Sequence, residues 1–76
     1  MPYVNCRVME GVLSDDQKAQ IAEQFTDTIV SVVGEPVRGL TWVVIDDMSS
    51  GHLTIGGQAI TTEGVQEVLA GVPAGA

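Results

Sequence analysis

Between Ser14 and Gly34 the chain carries one capped amphipathic helix with a β-forming run on either side. That arrangement confines it to a single β-α-β unit. Ser14 is a favoured N-cap, and Gln17 three residues later completes a capping box. Asp15 and Asp16 fall in the first turn, where the helix dipole favours negative charge. Ile21, Phe25, Ile29 and Val32 recur at helical spacing and predict a buried stripe. Gly34 suits the terminus, and Pro36 cannot continue a helix, so the helix is expected over about residues 15–33.

Residues Pro2 to Met9 alternate, with Val4, Cys6 and Val8 on one face and Tyr3, Asn5, Arg7 and Met9 on the other. Period-two patterning of this kind predicts a strand. Glu10-Gly11-Val12-Leu13 is a connection punctuated by Gly11. Leu40 to Met48, rich in β-formers, is the expected second strand. A strand, a long helix and a strand imply parallel pairing with a right-handed crossover. Further on, Ser49-Ser50-Gly51 reads as a turn. His52 to Ile55 with Gly56-Gly57 reads as a small hairpin, and Thr61 or Thr62 caps a last short helix through Leu69. The tail from about residue 70 to Ala76 is expected to be loose. Nothing separates domains, so residues 1–76 are expected to form one.

Two strands cannot hide both faces and both edges of a sheet. A chain of 76 residues buries only about 60% of its unfolded surface, which leaves a thin core. Small scaffolds usually add disulfides, a metal or partner subunits. One cysteine and one histidine far apart offer neither an internal disulfide nor a metal site of recognisable spacing. Self-association is the remaining route, and a hydrophobic fraction of 45% supports it. The net charge of −7 argues against nucleic acid and anionic membrane surfaces as partners. There is no run of about 18 apolar residues and no signal-peptide pattern, so a cytoplasmic location is expected.

Five short segments in order resemble the 4-oxalocrotonate tautomerase family of the tautomerase superfamily. They are Met1-Pro2, Glu10-Gly11, Asp16-Gln17-Lys18, Gly34-Glu35-Pro36 and Gly51-His52-Leu53-Thr54-Ile55-Gly56-Gly57. The resemblance covers about residues 2–57. It implies a short β-α-β subunit with a C-terminal hairpin, its parallel strands completed by assembly into a hexamer or trimer. It also implies loss of Met1, which frees the ring nitrogen of Pro2 to act as a general base. No cofactor and no metal are implied. As an amide to Met1, that nitrogen has no basic lone pair. Freed and placed in an apolar pocket, it is a base tuned toward neutral pH.

The chain departs from the family pattern at three places. The family's arginine after the Glu-Gly pair is Val12 here, and Leu13 lengthens the loop by one residue. The arginine early in the second strand is matched by Trp42, with Arg38 four residues before it. The aromatic of the glycine-rich segment is Leu53. A dicarboxylate substrate needs a bidentate cation, so efficient isomerisation of 2-hydroxymuconate is not expected. The glutamate that family dehalogenases use near Thr54 or Ile55 is missing as well.

The remaining candidates each have a structural alternative. Arg38 either holds a substrate carboxylate or is a solvated loop charge. Arg7 either reaches a neighbouring subunit's site or forms an intersubunit salt bridge. Trp42 either walls the Pro2 pocket or packs an interface, and Tyr3 either donates to a substrate oxygen or packs. His52 reads as a turn residue, Asp46 and Asp47 as solvated carboxylates at a strand end, and Cys6 as a buried small hydrophobe. Met9 and Met48 read as core or interface filler.

The expected function is therefore keto-enol tautomerisation of a small enol or unsaturated keto acid, such as phenylenolpyruvate. Two alternatives remain. One is a lyase or hydratase using the same proline on an α,β-unsaturated acid. The other is a non-catalytic oligomeric module that keeps the fold.

Overall fold

A computed structural model describes residues 1–71. In chain order the elements are strand β1 (Tyr3–Met9), helix α1 (Asp15–Val33), a 3-10 helix (Glu35–Leu40) and strand β2 (Trp42–Met48). Strands β3 (Leu53–Ile55) and β4 (Gln58–Ile60) and helix α2 (Thr62–Leu69) follow. β1 pairs with β2, and β3 pairs with β4. The chain divides into two compact units. One holds Met1–Arg7 with Ser14–Asp46, and the other holds Val8–Leu13 with the chain from Asp47 onward.

In the first unit α1 begins and ends where its caps require. The Ser14 side chain accepts from the Gln17 N–H at 3.1 Å, and the Gln17 side chain accepts from the Ser14 N–H at 2.9 Å. Gly34 has φ 117°, a backbone geometry that disfavours any side chain, and its N–H closes the last turn on the Val30 carbonyl. Pro36 then sits at the start of the 3-10 helix, whose fixed φ it suits. This helix occupies Leu40, so β2 starts at Trp42 rather than at Leu40. It also places Arg38 on a helical turn instead of a strand entrance.

The Trp42 N–H donates to the Pro2 carbonyl at 2.9 Å. That bond sets the parallel register in this unit: Tyr3 lies beside Trp42, Asn5 beside Val44, and Arg7 beside Asp46. The β1 alternation holds, with Val4 and Cys6 half-buried and Tyr3, Asn5 and Arg7 exposed. Cys6 is thus only partly covered, short of the full burial expected. The α1 stripe also differs from the expected one. Lys18, Ile21, Ala22, Thr26, Ile29 and Val30 are its half-buried positions, while Phe25 is at the edge and Val32 is 83% exposed. The covered face is turned toward Ala22, Thr26 and Val30, and Val32 lies in the final turn, beyond that face.

In the second unit β3 and β4 pair antiparallel as Leu53↔Ile60, Thr54↔Ala59 and Ile55↔Gln58. Gly56 and Gly57 form the two-residue turn with φ 59° and 83°, the positive values that tight hairpins demand. Thr61, rather than Thr62, caps α2 by accepting from the Gly64 N–H. Glu10 and Thr62 tie this unit together. The Ser50 N–H donates to Glu10 Oε2 at 2.6 Å, Thr62 Oγ1 donates to the Glu10 carbonyl at 2.8 Å, and the Thr62 N–H donates to Ser50 Oγ at 3.0 Å. Among the described residues Met9 is the one buried hydrophobic. Its burial agrees with the core role expected of it, although it alternates with the exposed Tyr3, Asn5 and Arg7. The expected loose tail lies, beyond Gly71, outside the described residues.

Candidate active site

The start of the chain is held against the entrance to β2 by two main-chain bonds. The Pro2 carbonyl accepts from the Trp42 N–H. One step earlier, the ammonium of Met1 donates to the Leu40 carbonyl at 3.0 Å. Pro2 is half-buried, and the next residue, Tyr3, shares an open face with Trp42. Tyr3 is 59% exposed and Trp42 65% exposed. Two aromatic side chains on neighbouring strand positions, close in register to the proline, are therefore left largely uncovered by their own unit.

Arg7 lies further along the same face, exposed and with no hydrogen-bond or ion-pair partner among the described residues. Its register neighbour Asp46 is engaged elsewhere: Asn5 Nδ2 donates to Asp46 Oδ2 at 2.8 Å. Five residue-to-residue steps separate Arg7 from Pro2, about 16 Å at the usual strand rise. Arg7 and Pro2 of one chain thus stand well apart along the strand.

Arg38 is held by two surface ion pairs. Its Nε donates to Glu35 Oε1 at 2.8 Å and its Nη1 to Asp27 Oδ1 at 2.9 Å. The Glu35 hydrogen bond first, and then the Asp27 one, hold the guanidinium well above its ordinary pKa. In this arrangement it bridges α1 and the 3-10 helix at the surface. Leu53 opens β3 in the second unit and is partly exposed. His52 is a turn residue as expected, its N–H donating to the Ser49 carbonyl at 3.0 Å. Asn5 carried no signal in the strand pattern beyond its outward face. Only the register, which sets Asp46 diagonal to it, pairs the two. Among the described residues no three His, Cys, Asp or Glu side chains gather as a metal site, and no helix is long and apolar enough to cross a membrane.

A parallel β-α-β crossover with a proline at the first ladder position defines a class of small subunit, and comparison with known proteins places it. Residues 2–63 match the family model described as "Tautomerase enzyme". A probable tautomerase of Bacillus cereus is 33% identical over 61 residues, covering 80% of this chain and 97% of the relative. The DmpI structure from Helicobacter pylori superposes with a TM-score of 0.69 at 26% identity, covering 78% of this chain and 95% of that one. A structure from work on the 4-oxalocrotonate tautomerase isozymes of Methylibium petroleiphilum gives 0.68 at 28% identity, covering 76% and 90%. The chain belongs to the tautomerase family, in its 4-oxalocrotonate tautomerase branch.

Proposed function

We propose that the chain is a tautomerase whose base is the ring nitrogen of Pro2 after removal of Met1, and that it ketonises a small, largely monoanionic enol such as phenylenolpyruvate. The observation that carries this reading is the position of Pro2. It is the first residue of the family match and is fixed by its carbonyl to the Trp42 N–H. The nitrogen takes the proton from the enol oxygen and returns one to carbon. A base whose pKa lies near the working pH does both well.

The aromatic pair Tyr3 and Trp42 suits an aromatic or unsaturated substrate body better than a second carboxylate. With Arg38 occupied and Val12 in place of an arginine, Arg7 from a neighbouring subunit is the better ligand for the single carboxylate. The open face and the exposed Leu40, Tyr3 and Trp42 side chains support assembly into a trimer or hexamer. A second reading, a non-catalytic oligomeric module, is favoured by that same occupation of Arg38.

The deciding experiment starts with the mass of the purified chain, to establish that Met1 is gone. Processed protein should then accelerate phenylenolpyruvate ketonisation, and Pro2→Ala with a verified terminus should lose about 10²- to 10⁴-fold of the rate. An unchanged rate removes Pro2 from the reaction. No acceleration by the processed parent chain leaves the module.

A further inference from the structure

In a parallel ladder one residue bonds twice to its neighbour strand, through its N–H to one carbonyl and through its own carbonyl to an N–H two residues further on. Pro2 satisfies only the second half, since its carbonyl accepts from Trp42. The first half belongs to the Leu40 carbonyl, two residues before Trp42. Proline in a peptide bond has no N–H to give. That carbonyl is instead taken by the nearest cation, the Met1 ammonium, at 3.0 Å. A main-chain acceptor thus sits where the nitrogen of residue 2 would donate, and it already binds an ammonium.

We propose that the Leu40 carbonyl is the positioning group for the Pro2 nitrogen, taking one of its N–H bonds once Met1 is removed. This rests on the reading of Pro2 as a freed terminus. The neutral secondary amine has one hydrogen and one lone pair, and the nitrogen inverts freely in solution. Donating the hydrogen to Leu40 selects one invertomer and turns the lone pair away from β2, toward the substrate. When the lone pair accepts the enol proton, the ammonium holds two. The hydrogen on Leu40 stays, and the new one is the only hydrogen returned to carbon. Proton transfer is then confined to one side of the ring. The carbonyl also favours the charged form, opposing the effect of burial, so it keeps the nitrogen from becoming too weak a base.

The test is a pH titration by nuclear magnetic resonance of the chain beginning at Pro2, labelled with nitrogen-15 proline and carbonyl carbon-13 leucine. The Leu40 carbonyl shift should move with the same midpoint as the Pro2 nitrogen, while the Leu13 and Leu69 carbonyls stay flat. Leu40→Ala, which keeps the carbonyl, should leave the midpoint in place. Replacing the Leu40–Thr41 amide by an ester, a poorer acceptor, should lower the midpoint by about one pH unit, a tenfold change. A Leu40 carbonyl that ignores the Pro2 titration, or an ester analogue with an unchanged midpoint, overturns the proposal. Both readouts are independent of turnover. Loss of the catalytic reading in the ketonisation assay is therefore distinguishable from loss of this contact.

Discussion

Arg38 Nη1 lies 2.9 Å from Asp27 Oδ1, a contact that fastens the 3-10 helix to the middle of α1 across eleven residues of sequence. With Glu35 on the other side of the guanidinium, the arginine nearest in sequence to Trp42 is spent on holding the turn that delivers Leu40 and Trp42 to Pro2.

Arg38→Ala should therefore lower the melting temperature slightly and change ketonisation less than about tenfold, since exposed ion pairs contribute little. Asp27→Asn should do much the same, and the two effects should be less than additive because they remove one interaction. The sign of the pH dependence is fixed. The guanidinium pKa is raised in the folded chain, so its contribution is present below the ordinary arginine value and fades only in strong alkali. Thermal melts of the single and double variants check the coupling. A KM rise of 100-fold in Arg38→Ala would make it a substrate ligand instead.

Arg7 gives the opposite expectation. Exposed and without a partner among the described residues, it should contribute little to the fold of its own unit, so Arg7→Ala should melt close to the parent. If a partner's substrate carboxylate is its ligand, kcat/KM for phenylenolpyruvate should fall by about 10- to 100-fold, chiefly through KM. Arg7→Lys should recover only part of the loss, because an ammonium lacks the bidentate fork. Steady-state kinetics on both variants is the measurement.

The helix was legible in the sequence because local chemistry decides it. Ser14 and Gln17 announce its start, and Gly34 and Pro36 its end. The hairpin was equally legible, since Gly56-Gly57 permits the two positive φ values it needs. The entrance to β2 was not. Leu40 and Thr41 have strand-like side chains, yet Pro36 and the Arg38 ion pairs hold the preceding backbone in a 3-10 helix until Trp42 is reached. Pro2 could be picked out as a candidate from the sequence. The bonds that hold the chain start, from Trp42 to the Pro2 carbonyl and from Met1 to the Leu40 carbonyl, could not, because both acceptors are main-chain atoms that no side-chain pattern reports. Arg38 looked available for the same reason. Glu35 is its neighbour in the 3-10 turn, but Asp27 comes near only after α1 has folded.

Gly11 is required for both conformation and space. Its φ is 74°, and a Cβ there would lie 3.2 Å from Thr62 Cγ2. Gly11→Ala should cost about 1–2 kcal/mol from the left-handed backbone alone. Pairing it with Thr62→Ser removes the methyl but keeps the hydroxyl that donates to the Glu10 carbonyl. The double variant should recover the steric part and leave the backbone part. Chemical denaturation of the three variants separates the two, and full recovery would mean that the backbone strain is negligible.

Trp42 offers a direct reading of assembly, because it is the only tryptophan in the chain and its own unit leaves it 65% exposed. If a neighbouring subunit covers the open face, the indole moves from water into an apolar contact that also bounds the Pro2 pocket. Emission should then be blue-shifted at high concentration and shift to the red on dilution. The midpoint should match the dissociation seen by sedimentation, and ketonisation per chain should fall over the same range, since one subunit's Arg7 stands well apart from its own Pro2. Trp42→Arg introduces a cation into that contact. It should weaken assembly and lower activity at low protein concentration, with recovery as concentration rises. A chain that stays monomeric at every concentration, with water-exposed emission and undiminished turnover, would place the whole site within one subunit.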